Sequence, residues 1–161
     1  MIEKPVVTAH EAAAKVREGD VVLVGGFLGV GSALSVIHAL VDEGTSKLTI
    51  ACNDSGICDK AGRVVGVGHL VVNHQVAKVI TSHIGTNIET QRQMNAGETE
   101  VQLVPQGTLA ERIRSAGVGL GGILTPTGIG TEAADGKQVI TIDGLAYLLE
   151  LPLKGDVALI K

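Results

Sequence analysis

The chain has 161 residues, a formal net charge of −4 and a mean hydropathy of +0.34, values that suit one domain long enough to bury a core. It has no basic block and only Phe27 and Tyr147 as aromatics, so it lacks both the charge and the stacking platforms of a nucleic-acid binder. The longest charge-free stretch, between Arg114 and Glu132, carries six glycines and a proline and reads as glycine-rich loop rather than membrane span.

Thr8 and Glu11 have capping-box spacing and open a short helix that ends near Gly19. The apolar run 21–24 is a first strand; it stops at Gly25-Gly26, and Gly29 and Gly31 follow. Ser32 is placed to N-cap a helix with Leu34, Ile37, Leu40 and Val41 on one face and Gly44 as its stop. Residues 48–51 read as a second strand, leading into the polar turn Cys52-Asn53-Asp54-Ser55-Gly56, and the irregular stretch 57–76 allows a short helix or a hairpin. Residues 77–81 are a third strand, followed by Ser82-His83-Ile84-Gly85-Thr86-Asn87, with Asn87 capping a helix to about Ala96 that Gly97 closes. Residues 101–104 are a fourth strand ending in Pro105-Gln106-Gly107, after which Thr108 and Glu111 repeat the capping-box spacing and open a helix over 109–115. Beyond the glycine-rich segment 117–130, residues 139–142 and 146–149 are hairpin arms turning at Asp143-Gly144, and 157–160 is a last apolar strand at an uncovered edge.

A core restricted to Val, Ile, Leu and Ala is the composition of parallel strands covered on both faces. The alternation predicts a single α/β domain over 1–161: an open, mainly parallel sheet with helices on both faces, plus a small antiparallel hairpin element. The turns 25–31, 52–56, 82–87 and 105–107 each follow a strand, so they gather at the carboxyl edge where such sheets bind ligands. Cys52 and Cys58 make no disulfide framework and, behind an N-terminus with no apolar leader, read as free thiols of a cytoplasmic chain.

The glycine loop is neither a dinucleotide fingerprint, since Leu34 stands where the third glycine belongs, nor a Walker A loop, since Ser32 stands where lysine is required. Four glycines within 25–31 exceed what one tight turn needs. They place bare backbone N–H groups at a strand end, where a phosphate, a carboxylate or a developing oxyanion is accepted. Gln106, between a strand and a helix start, is a neutral amide able to donate to a carbonyl oxygen without adding charge. Asn53-Asp54 reads as a turn cap before a substrate contact, and His83 as a hydrogen-bonded turn residue before a general base. His69 and His74 lack metal spacing, and no metal site is expected. Of the nearby carboxylates Glu89, Glu98, Glu100 and Glu111, none has a context that marks a nucleophile.

Three segments taken together resemble the α subunit of family I coenzyme A transferases, essentially end to end. They are Val24-Gly25-Gly26-Phe27 with Gly31, Ser82-His83-Ile84-Gly85-Thr86-Asn87 with Gly97-Glu98, and 104–114 continuing into Thr125-Pro126-Thr127-Gly128-Ile129-Gly130-Thr131. The likeness is to the acetate, acetoacetate and butyrate type. It implies a heteromeric enzyme that moves CoA between an acyl-CoA and a short-chain carboxylic acid through a glutamyl-CoA intermediate. The glutamate of that family lies on a partner β subunit, and this chain has no matching signature; Glu18-Gly19 and Glu43-Gly44 look like helix ends. By the same resemblance Gly25, Gly26, Phe27, Leu28, Gly29, Val30 and Gly31 bind CoA, Gln106 contacts the acyl group, and the 117–130 loop shapes the pocket. No catalytic residue falls in this chain and no cofactor is tightly bound, CoA being a substrate. A β subunit is the expected partner in a hetero-oligomer, with some apolar surface covered by β or by another α copy and neither nucleic acid nor membrane involved. Ala33 replaces the proline usual after the loop, and α subunits of the family continue beyond the position of Lys161, which implies a domain incomplete at its C-terminus. The competing reading is a non-catalytic CoA- or carboxylate-binding sensor on the same fold, motivated by the missing nucleophile. A sugar-phosphate isomerase ranks below both, because the nearest basic residues, Arg17 and Lys47, lie outside the loop.

Overall fold

The computed structural model describes residues 4–161. In chain order the elements are α1 (Ala9–Ala13), β1 (Val21–Val24), α2 (Leu34–Glu43), β2 (Leu48–Asp54), β3 (Ile57–Cys58), β4 (Val64–Val65), α3 (Gly68–Val72) and β5 (Val76–His83). Then come α4 (Ile88–Asn95), β6 (Glu100–Leu103), α5 (Gln106–Gly117), β7 (Ile123–Thr125), a 3-10 turn (Glu132–Ala134), β8 (Val139–Ile142), β9 (Leu145–Glu150) and β10 (Val157–Leu159).

Five strands pair in parallel in the order β10-β1-β2-β5-β6. The period of two along each strand feeds two cores. Val22, Val24, Leu48, Ile50, Cys52 and Val79 point to the face covered by α1, α2 and α3. Leu23, Ala51 and Ile80 point to the other, where Leu109 and Ile113 of α5 pack with Leu153. The strands are near-continuous apolar runs because both sides are covered. A separate antiparallel sheet, β7-β9-β8, follows α5 and turns at Asp143-Gly144, both at positive φ. Buried Glu150 ties it back, pairing with Lys137 and facing Arg112 of α5. No helix among the described residues is long and apolar enough to cross a membrane.

Leu40 of α2 is wholly buried in the larger core. Leu40→Ala is expected to destabilise the chain by about 2–5 kcal/mol, read as a lower urea midpoint at unchanged slope.

Several sequence expectations hold: the Thr8/Glu11 capping box is formed on both sides, Asn87 accepts from the Glu89 and Thr90 N–H groups, and Gly44 ends α2 at φ 68°. Others are corrected. Ser32 does not cap α2; the helix starts at Leu34, and the Ser32 hydroxyl donates instead to the Gly25 carbonyl at 3.0 Å, closing the base of the loop. Thr108 and Glu111 form no capping box. Pro105, extended at φ −51° and ψ 135°, launches α5 three residues earlier than the spacing suggests, and Glu111 pairs with Arg114 at 2.7 Å. The second strand runs on through Cys52, Asn53 and Asp54, and the third through His83, because β2 and β5 stay in register as far as Asp54 opposite His83. Residues 57–76 contain both a hairpin, β3–β4, and a short helix, α3.

Candidate functional site

Beyond β1 the backbone still pairs once, Gly25 N–H donating to the Leu159 carbonyl at 3.0 Å. It then turns sharply at Gly26, φ 115°. A Cβ here would lie 2.4 Å from the Ser32 hydroxyl and 2.8 Å from the Ser32 nitrogen, so only glycine fits. Phe27 and Val30 exchange two backbone hydrogen bonds of 2.9 Å, and the residues between them, Leu28 and Gly29, both have positive φ, 49° and 83°. That is the signature of a type I′ turn. Its flanks Phe27 and Val30 are exposed. From the end of β2, the Asp54 carboxylate accepts the Leu28 N–H at 2.9 Å and, on its other oxygen, the Gly56 N–H at 2.9 Å. The β3–β4 hairpin backs the loop: a Cβ on Gly29 would lie 2.3 Å from the Val65 side chain.

The loop's donors divide cleanly. Gly25, Phe27, Leu28 and Val30 spend their N–H groups inside the chain. Among the described residues, those of Gly26, Gly29 and Gly31 meet no acceptor of the chain. Backbone amides left without an acceptor in the chain are available to an anionic or carbonyl oxygen.

Gly25, Asn53 and Gln106 line one cleft of about 240 Å³ at the carboxyl ends of β1 and β2. Its walls are apolar, from Leu23 and Ala51 of the sheet and Leu109 and Ile113 of α5. Gln106 is the first residue of α5 and is exposed, so the start of that helix borders the cleft. No Asp, Glu or His lines the cleft among the described residues. Cys52 does line it, but burial, with the Asp54 carboxylate beside it, pushes the thiol up to about 12. It therefore stays protonated and is no nucleophile at neutral pH. In the unfolded chain the thiol ionises at an ordinary value near 9. Its contribution to stability is thus whole below about pH 9 and lost as pH rises through 12. The expected outcome at pH 8 is that iodoacetamide labels partly exposed Cys58 well before Cys52, read by mass spectrometry of the folded chain.

The other singled-out residues are placed apart from this cleft. His83 is exposed and rests over Gly85, where a Cβ would lie 2.7 Å from the ring. Asn87 is buried and donates to the Ser55 carbonyl at 2.7 Å. His69 stands edge-on to His38 at 4.7 Å between ring centres. Burial, and then the His38 charge, hold its imidazole below its ordinary value. Of the 117–130 segment, Thr125 and Thr127 border a different cleft shared with Thr108 and Glu111, not the one holding Gly25 and Gln106. The turn-cap reading of Asp54 holds in its bond from the Gly56 N–H, and 57–76 does contain a hairpin, but sequence reasoning missed the bond from the Leu28 N–H and the packing of that hairpin behind the loop. The available signal was the pair Gly56 and Gly66: a Cβ on Gly56 would lie 2.4 Å from the Val65 carbonyl oxygen, and one on Gly66, at φ 63°, 3.3 Å from the Gly29 backbone.

Known proteins share this architecture. A solved acyl-CoA transferase from Escherichia coli O157:H7, in a thioester complex with CoA, superposes with a TM-score of 0.82 at 24% identity, over 97% of this chain and 34% of that one. Glutaconate coenzyme A-transferase from Acidaminococcus fermentans does so at 0.77 and 19%, over 96% of this chain and 55% of that one. In sequence, the chain is 50% identical over 154 residues to the acetate CoA-transferase subunit alpha of Escherichia coli K12, covering 96% of this chain and 68% of the relative. It is 48% identical over 145 residues to the acetoacetyl-CoA:acetate/butyrate CoA transferase alpha subunit of Clostridium acetobutylicum, covering 90% and 64%. The chain thus spans about two thirds of the length of the curated relatives it matches. Residues 6–161 match the family described as coenzyme A transferase, and the chain belongs to that family.

Proposed function

We propose that this chain is the α-type component of a short-chain acyl-CoA:carboxylate CoA-transferase, with acyl-CoA seated between the glycine loop and Gln106. The observation that carries the reading is that Gly25 and Gln106, 81 positions apart in sequence, line one apolar-walled cleft. Such a site suits a thioester: fixed amide donors aimed at a carbonyl oxygen in a dry pocket stabilise the charge that develops there. The Gln106 amide is the donor within the cleft, the unspent N–H groups of Gly26, Gly29 and Gly31 stand beyond it along the loop for the remainder of the CoA ester, and the walls formed by Leu23, Ala51, Leu109 and Ile113 take the short acyl chain.

The nucleophile comes from elsewhere, because the cleft offers no carboxylate and Cys52 stays a thiol. A glutamate of the partner attacks the thioester carbonyl, forming a mixed anhydride and releasing CoA thiolate. The thiolate then attacks the glutamyl carbonyl, giving glutamyl-CoA and freeing the first carboxylic acid. The incoming carboxylate reverses these two steps and leaves as its own CoA ester. The exposed apolar side chains of Phe27, Val30 and Leu103 at the carboxyl edge of the sheet support a partner surface there.

A CoA exchange assay between acetyl-CoA and butyrate tests this, run with the chain alone and with a glutamate-bearing β-type partner. Turnover is expected only in the mixture, and full turnover by the purified chain alone would contradict the reading. The absence of a carboxylate also favours a second reading, a CoA-binding sensor; CoA binding with no gain of turnover on adding any β-type partner would select it.

A further inference from the structure

The glycine loop does not hold its shape by local bonds alone. Leu28 sits at φ 49°, a region that L-residues adopt only when their surroundings impose it. What meets it is Asp54, 26 positions downstream at the last residue of β2 and 5% exposed. One carboxylate oxygen takes the Leu28 N–H and the other the Gly56 N–H, each at 2.9 Å. No cation pairs with Asp54 among the described residues; its partners are these two backbone N–H groups at 2.9 Å and, more distantly, the Asn53 side-chain amide at 3.5 Å. Only a carboxylate offers two accepting oxygens on opposite sides; an asparagine would turn an N–H group toward one of these donors. The anchor is itself rigid. A Cβ on Gly56 would lie 2.4 Å from the Val65 carbonyl oxygen, and one on Gly29 would strike the Val65 side chain. The turn at Asp54, the hairpin and the glycine turn are therefore interlocked.

We propose that Asp54 is a positioning residue: by fixing Leu28 it aims the unspent N–H groups of Gly26, Gly29 and Gly31, and so sets CoA affinity without touching CoA. This rests on the CoA-site reading above. Because β2 runs in register with β5 as far as residue 54, the sheet carries the carboxylate as a fixed point.

The test is Asp54→Asn in the full chain, read by amide hydrogen exchange and by CoA titration. Exchange at Leu28, relative to core amides such as Val22 and Ile50, is expected to quicken about tenfold or more, and CoA affinity to fall by a similar factor. Thr99→Val serves as a control for lost stability. It removes buried bonds to the Val76 carbonyl and to Gln93, of 3.0 and 2.7 Å, away from the loop, and should leave both readouts unchanged relative to the core. If Asp54→Asn does not fold, Asp54→Glu, which keeps the charge and displaces the oxygens, carries the same readouts. Unchanged relative exchange at Leu28 overturns the clamp, and a loosened loop with wild-type CoA affinity overturns its role in binding. Absence of CoA binding by the wild-type chain overturns the CoA-site reading and the functional half of this proposal, while the Leu28 exchange rates still decide the clamp itself.

Discussion

Gly26→Ala is expected to weaken CoA binding strongly while leaving the chain folded. An L-residue held at φ 115° carries strain of about 1–3 kcal/mol. The added methyl also meets the Ser32 hydroxyl at 2.4 Å and two backbone atoms, Ser32 N and Val30 O, at 2.8 Å. The hydroxyl can rotate away, but the backbone atoms cannot, so the loop itself must move. Movement breaks the 3.0 Å bond from Ser32 to the Gly25 carbonyl and turns the unspent amides out of register. With each ~1.4 kcal/mol worth a factor of ten, affinity for CoA should fall by about 10–100-fold. The two cores are built elsewhere, from residues such as Val22, Ile50, Leu109 and Ile80, so helical circular dichroism should persist. Gly117→Ala is the matched control: a Cβ there meets nothing within 4 Å and its φ is ordinary, so affinity should not change. Isothermal titration with CoA separates the two variants.

Gln106→Ala should act on turnover and leave binding nearly intact. The residue is exposed at the first turn of α5 and belongs to neither core, so its removal should change stability by less than about 0.5 kcal/mol. Its proposed work is to donate to the acyl oxygen as negative charge develops, and loss of one such donor typically lowers kcat by about 10²–10³-fold. Gln106→Glu should be at least as damaging, because it places an acceptor and a charge where a donor is required. With the partner present, a fall in kcat at steady KM for acyl-CoA supports the assignment. A rise in KM at unchanged kcat would place Gln106 in ground-state binding instead.

The fold was legible because its strands are buried on both faces and its helices carry local signals. Thr8 with Glu11, Asn87 and Gly44 mark helix ends by bonds made within three residues or by a left-handed turn, and these need no tertiary context. The start of α5 was misread because two local signals competed, and the fixed φ of Pro105 outweighed the capping spacing of Thr108 and Glu111. Residues 57–76 were illegible for a different reason. Two-residue strands have no periodicity, and this hairpin is held by the close approach of Gly29, Gly56 and Gly66, a contact between segments distant in sequence. The candidate site divides along the same line. Glycines before a helix and an amide after a strand stand out in the sequence. Their convergence depends on strand order, with β2 and β5 lying between β1 and β6 and α5 crossing back over them. The role of Asp54 depends on a single bond to Leu28 that no spacing rule announces.

The most direct measurement is an amide NMR titration of the chain with CoA and with acetyl-CoA. If acyl-CoA is held between the glycine loop and α5, the resonances of Gly26, Gly29 and Gly31 and the side-chain amide of Gln106 should shift together along one saturating curve, while those of the β7-β9-β8 sheet stay fixed. Saturable shifts confined to some other surface, with the loop and Gln106 unmoved, would contradict the site.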